Sequence, residues 1–446
     1  MKKLKVFCNA AVILLFAGLS VHTVVAQTTK KETITKVYGI SQTGNLDLLS
    51  YSSYIEILTW DANEVKVTRE LAYEDNGNRE DIEKLLEAFK NMDAESSSKD
   101  LLKLKLNLVQ SSQTNNFFLW SNYKTVLCNG EVISMDANKI KVTYTIWIPS
   151  TLNVKVDSRF GKFKMASIRG NVNFTMSNND LEMGDFGESG TFDIRFSSAK
   201  IGRGGAAKFS VHNSTINAGE LKNVTAEARF SKFNIAKAES VSIDSHNTTS
   251  IFGLLNDIDA TARFSTIRIE NNVTKSKLDF YNSDLFGANF QTMEIGEARF
   301  SKFNAGNIDV MITNSINNST CDLDAVNTFS CREARFSTFV FDEISGAASL
   351  PDANNTTVRI NNTGASFKVF SGNFRFGEIY LKLNRNVVYN LNYEGTFSQL
   401  NGISRDKFKS GYVSDTNGPN TTVQGLNTDA SCNISLVVSN TTCKIE

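Results

Sequence analysis

Apolar and polar residues alternate along most of this chain, with one interruption. Tyr54–Trp60 and Glu64–Thr68 each place apolar side chains at every second position around Asp61-Ala62-Asn63, which predicts two strands meeting at a tight turn. Leu102, Leu104, Leu106 and Leu108 alternate with polar residues, as do Ile140, Val142, Tyr144, Ile146 and Ile148, with Pro149 as a stop. Between them, Ile82, Leu85, Leu86 and Phe89 recur at helical spacing, predicting a helix near 79–93 with Asn78 as its N-cap.

From about residue 155 the chain repeats. Arg-Phe pairs stand at Arg159, Arg195, Arg229, Arg263, Arg299 and Arg335, spaced 36, 34, 34, 36 and 36 residues, with Arg375-Phe376 another 40 on. A second copy without Arg lies between successive pairs. Its apolar residue gives the register Phe163, Leu181, Ala199, Ile216, Phe233, Phe252, Ile267, Phe286, Phe303, Cys321, Phe339, Val358 and Ile379. That is 379 − 163 = 216 residues over 12 steps, an average of 18. No helical repeat has this period, and propeller blades run to roughly 40 residues.

A period of 18 with strand-like alternation predicts an all-β, single-stranded parallel β-solenoid (a β-helix) of about 13 coils. Each unit is too small to bury its own apolar face, so stacking at ~4.8 Å per coil creates the core. The expected layout is a leader over 1–26, a β-rich cap with the helix over 27–150, repeats over 151–385 and a C-terminal β cap over 386–446. The caps, including Cys432–Cys443, are expected to cover the open strand edges at the two ends.

The order strand–Trp-Asp–turn–Glu64-Val65-Lys66-Val67, then Tyr144–Pro149, then Val156–Phe163 resembles the adhesin-like bacterial β-solenoid family of unknown function. That family is related to the "putative autotransporter adhesin head" (GIN) domain. The resemblance covers nearly all of the chain after the leader. It implies an exported envelope protein with an adhesive or scaffolding role and no catalytic residues. The helix and the Cys pairs depart from the family pattern.

Lys2, Lys3 and Lys5, the apolar run Ala10–Gly18 and the small residues before Gln27 predict a secretion signal cut between Ala26 and Gln27. The run is too short to span a membrane, and no later segment is apolar for longer. The expected location is the periplasm, outer-membrane surface or exterior of a Gram-negative bacterium. Without the leader the charge is 44 − 47 = −3, which gives no reason to expect nucleic acid as a partner. Export favours disulfides Cys321–Cys331 and Cys432–Cys443, with Cys128 left over.

The Arg of alternate coils (Arg195, Arg229, Arg263, Arg299 and Arg335) should form a column, readable as a stripe for an anionic glycan. Asp193, Glu227, Glu297 and Glu333 stand two residues before four of them, on the same strand face, and favour a charge-paired structural column; Thr261 is the exception. By the same alternation, Phe230, Phe264, Phe300 and Phe336 should point inward and stack. Asn213, Asn247, Asn282 and Asn314 hold a matching place in the other coils, as an amide ladder or turn residues would.

Enzyme signatures are missing: neither a Gly-x-Ser-x-Gly turn nor a phosphate loop is present, and only His212 and His246 follow the leader. Asp322-Leu323-Asp324 is a poor calcium candidate, lacking further spaced oxygen ligands. No catalytic residue, metal or cofactor is expected. The reading is an exported binding or scaffold protein whose partner is a glycan or a host or envelope protein. The rival is a polysaccharide lyase or glycoside hydrolase on a β-helix, because acids on neighbouring coils can lie at catalytic spacing.

Overall fold

The structure, a computed structural model, describes residues 29–92, 94–117, 120–287 and 289–446; the Ala26/Gln27 cleavage site lies outside them. The chain forms two compact units. One comprises residues up to Thr35, Thr68–Met92 and Asn107–Thr143; the other Lys36–Val67, Asp93–Leu106 and Tyr144–Glu446. Segments 36–67 and 93–106, inside the stretch expected as a cap, thus belong with the repeats.

The smaller unit holds the helix, Arg79–Asn91. Asn78 caps it as expected, its side chain accepting from the N–H groups of Glu80 and Asp81. Asp81 is buried and satisfied by Asn76, Asn78 and the Ser134 N–H at 3.0–3.1 Å. Arg69 lies over the Phe89 ring and donates to the carbonyls of Lys90 and Met92, which closes the helix C-terminus. Strands Val109–Phe117 and Trp120–Leu127 pair antiparallel alongside.

The larger unit is a β-solenoid of about 13 turns with parallel, in-register strands. The ladder runs Phe163, Leu181, Ala199, Ile216, Phe233, Ser250, Ile267, Leu285, Phe303, Cys321, Phe339, Val358 and Ile379. Two of the thirteen register marks move. Ser250, small and buried, takes the place assigned to Phe252, which is buried two residues on. Leu285 replaces Phe286, whose ring turns outward beneath the Arg268 guanidinium, 5.1 Å away. Inward rings stack from coil to coil: Phe174 on Phe192 at 5.9 Å, and Phe192 on Phe209 at 5.0 Å. Burial of this stripe, which no single coil could achieve, supplies the driving force.

Both ends depart from simple winding. At the N-terminal end, Asn45–Tyr51 and Tyr54–Ile57 lie parallel on the coil Asn153–Met165, so adjacent rungs are separated by nearly 100 residues of sequence. Leu101–Leu106 pairs parallel on Asn45–Ser50, and Ala94–Ser97 closes that edge antiparallel. At the C-terminal end, Cys432–Ser439 sits between Val369–Arg375 and Tyr389–Thr396, bonded to both. Thr442–Ile445 does the same between Glu378–Leu381 and Gln399–Asn401. The segment Cys432–Cys443 is therefore an interior rung and not the end cover expected of it. Tyr389–Asn401 forms the outer rung, flanked by the antiparallel strands Asn420–Leu426 and Gly411–Asn417.

The two expected disulfides are not formed: Cys321, Cys331, Cys432 and Cys443 are buried free thiols, while Cys128 is exposed. Each fills an interior slot, Cys331 also donating its thiol to the Glu333 carbonyl at 3.4 Å. Cys321 stands between Phe303 and Phe339, and Cys443 between Ile379 and Leu400. Burial pushes Cys331, Cys432 and Cys443 up to about 12, and Cys321 well above its ordinary value with a smaller push from Cys331.

Candidate functional site

Every coil turns one corner on the same three-residue device. The first residue points outward, the second takes the left-handed backbone conformation, and the third returns inward with a hydroxyl in most coils. The backbone N–H of each third residue donates to the hydroxyl of the next coil: Ser197 to Ser214 (3.0 Å), Ser214 to Ser231 (3.2 Å), Ser231 to Thr248 (3.3 Å) and Thr248 to Ser265 (3.2 Å). The ladder continues through Ser283, Ser301, Ser319 and Ser337. Each hydroxyl also donates to the carbonyl two residues before it, as Ser265 does to Arg263 at 2.8 Å. The polar groups that a buried corner would otherwise strand are thus paired.

The second residue is the unexpected one. In spatial order along the stack it reads Ser52, Phe160, Asn178, Phe196, Asn213, Phe230, Asn247, Phe264, Asn282, Phe300, Asn318, Phe336, Asn355, Phe376, Asn440 and Phe397, with φ between 47° and 57° throughout. Asn accepts this conformation; a bulky residue does so at a cost of roughly 1–2 kcal/mol. The left-handed residue breaks the strand alternation, so Phe230, Phe264, Phe300 and Phe336 do not follow Ala228 and its equivalents inward. These residues are 55–59% exposed, where stacking in the core was expected. The fourth Asn also shifts, from Asn314 to Asn318.

The alternation survives both interruptions of the winding. Ser52 donates its N–H to Arg159 O (2.8 Å), Phe376 to Ser439 O (2.9 Å) and Asn440 to Thr396 O (2.9 Å), so Phe376, Asn440 and Phe397 are spatial successors although not sequential ones. Phe therefore recurs every second rung, about 10 Å apart. His246 lies between two of the rings, 5.8 Å from both Phe230 and Phe264, and Tyr51 meets Phe160 at 5.4 Å.

The Arg column runs beside this edge. Arg195, Arg229, Arg263, Arg299 and Arg335 alternate in register with His212, His246, Tyr281 and Asn317. Arg195 pairs with Asp193 at 2.9 Å, Arg229 with Glu227, Arg299 with Glu297, and Arg335 with Glu333. Arg263, preceded by Thr261, makes no such pair among the described residues. Glu297 also accepts from the Tyr281 hydroxyl at 2.5 Å; that bond first, and Arg299 second, hold its carboxyl below the usual range. Four of the five positions are charge-compensated, and the column offers little net attraction to an anion.

A depression of about 450 Å³ opens on the corner edge, lined by Asn178, Phe196, Ser198, Asn213 and Thr215 among others. A larger one, about 560 Å³, lies over a different corner beside Asn272, Asn289, Asn307, Asp309 and Asn327. There the polar groups already satisfy each other: Asn289 donates to Asn272 (2.9 Å) and Asn327 to Asp309 (2.8 Å). Among the described residues no three His, Cys, Asp or Glu gather as a metal site, and Asp322 and Asp324 are exposed. No helix among them is long and apolar enough to cross a membrane.

The sequence held the signal for this edge, because the Arg-Phe-Ser and x-Asn-Ser/Thr triplets alternate. Strict period-two reading assigned the Phe to the core, since it carried no knowledge of where the backbone turns left-handed.

No family model and no curated protein matches this chain. A crystal structure described as a "putative cell adhesion protein" from Clostridium sporogenes aligns over 93% of this chain and 99% of its own, at 10% identity and a TM-score of 0.17. A score that low does not equate the two folds, and the solenoid stands on its own hydrogen-bonded ladder.

Proposed function

We propose that this solenoid is an exported binding or scaffold protein of the cell envelope, in keeping with the adhesin-like family it resembles, and that it works by binding and not by catalysis. Its working surface is the corner edge of alternating Phe and Asn. The observation that carries this is the backbone: eight Phe hold a left-handed conformation that Asn holds at less cost on the neighbouring rungs, and every ring is about half or more exposed. An arrangement that costs stability at each repeat and buries little is expected where a partner completes the burial. Binding is favoured over cleavage because neither depression has a facing pair of carboxylates: Asp309 is the sole acid lining the larger one.

The test is a variant in which Phe196, Phe230, Phe264 and Phe300 all become Asn. It should unfold no earlier than the parent and lose association with labelled envelope preparations and host cells. Undiminished association would refute the edge as the binding surface.

A further inference from the structure

We infer that the corner edge binds an extended, uncharged polysaccharide of β-1,4-linked pyranoses lying along the solenoid, one disaccharide to each Phe–Asn pair of rungs. The inference rests on the reading of this edge as the binding surface and adds the chemistry of its ligand.

Three features converge. The first is pitch. Phe rings recur every two rungs, about 10 Å, and an extended β-1,4 chain with a two-fold screw repeats its sugar faces every second residue over a closely similar distance. Rings at that pitch meet the same C–H face of every other sugar. The second is what lies between the rings. The left-handed Asn points outward on the intervening rungs, and where its amide nitrogen is engaged the donor goes to the residue just before it: Asn178 to Ser177 (3.1 Å), Asn318 to Asn317 (2.6 Å) and Asn440 to Ser439 (3.1 Å). These Asn are exposed, and their carboxamide oxygens are available as acceptors for sugar hydroxyls. Beyond the corner the next row reads Asp180, Ser198, Thr215, Lys232, Thr249, Thr266, Asp284 and Lys302, four hydroxyls among two acids and two lysines, all able to meet sugar hydroxyls. The third is charge. Four of the five guanidinium groups beside the edge are paired with Asp193, Glu227, Glu297 and Glu333, Arg263 being the exception, and the row beyond the corner carries both signs, so a neutral polymer fits better than a polyanion. The depression between Phe196 and the flanking Asn178 and Asn213 gives the edge relief on the scale of a sugar ring.

Because single sugar contacts are weak, affinity accumulates by repetition along the rod axis. The probes are insoluble cellulose, β-1,4-mannan and chitin, with α-linked starch as the contrast, and soluble β-1,4-glucan oligomers of increasing length. The expected results are retention of the mature protein on at least one β-1,4 polymer and not on starch, and affinity that climbs in steps of two sugars. Replacing Phe196, Phe230, Phe264 and Phe300 by Asn should weaken retention by ~10-fold or more, while replacing the same four by Tyr, which keeps the rings, should preserve it.

Retention on none of the β-1,4 polymers, equal retention on starch, or retention indifferent to the Asn variant would overturn the inference. If the parent self-associates, the Asn variant is monomeric and no polymer is retained, the edge serves a second copy of this chain. The ligand assignment then fails while the binding-edge reading stands. Loss of polymer binding in both the Asn and the Tyr variants would show that the rings do not act by stacking, and would equally reject it.

Discussion

Two columns of phenylalanine run through this solenoid, and they obey opposite rules. The inner one, Phe174, Phe192 and Phe209, is buried, with rings parallel within 15° and backbone in ordinary extended conformation. The outer one, Phe196 through Phe336, sits one rung in two on the corner, exposed and left-handed. The same side chain thus stabilises the fold in one column and costs it stability in the other. Residue type and hydrophobicity cannot separate the two; the backbone at the turn does.

The sharpest way to break the comparison is to truncate one ring from each column. Phe192→Ala should cost roughly 3–5 kcal/mol in denaturant unfolding through lost burial and a cavity, whereas Phe300→Ala should leave the midpoint close to the parent's. Next in size comes the hydroxyl ladder that fixes where the corner falls. Ser265→Ala strands the buried Thr248 N–H and should cost ~1–3 kcal/mol, with Ser265→Thr restoring most of it. Phe300→Asn should go the other way and raise stability by about 1 kcal/mol, since Asn relieves the left-handed strain; a loss instead would mean the exposed rings do support the fold.

The smallest effect belongs to the charged column. Arg299→Ala breaks a half-exposed pair and should cost under ~1 kcal/mol. Its companion Glu297 titrates below the ordinary carboxyl value in the folded protein. Its contribution is therefore present above the ordinary carboxyl range and is lost as pH falls through the lowered folded value. Tyr281→Phe removes the main cause of that lowering. The acid limb of the stability profile should become flatter, and an unchanged limb would show that the Tyr281 bond contributes nothing.

Much of the architecture was legible from the residues. Period 18, parallel stacking and the helix with its Asn78 cap all follow from apolar spacing, because burial of a periodic stripe leaves few alternatives. Register slipped only where hydropathy misleads: Ser250 is a small polar residue inside, and Phe286 an aromatic one outside. The paired Arg column followed from the acids two residues earlier. What could not be read was conformational or topological. Nothing in the Arg-Phe-Ser triplet announces a positive φ at Phe, and pairing Cys321 with Cys331 by proximity ignored that Cys321 fits between Phe303 and Phe339 while Cys331 donates to the Glu333 carbonyl. The insertion of 432–445 between earlier rungs likewise needs a long-range pairing that no local pattern encodes.

That insertion bears on how the molecule assembles and comes apart. In a simply wound solenoid the final rung is the outermost, added last and shed first, and fraying it breaks one interface. Here Cys432–Ile445 is synthesised after both of its neighbours yet lies between them, so Tyr389–Asn401 has no finished rung to dock on until the later strand arrives. Closing the C-terminal end should then require both interfaces to form together after a long loop is ordered, which is expected to be slow. Once closed, pulling the tail free breaks two interfaces at once, and a terminus that would otherwise unzip rung by rung is held like a wedge driven between two stones.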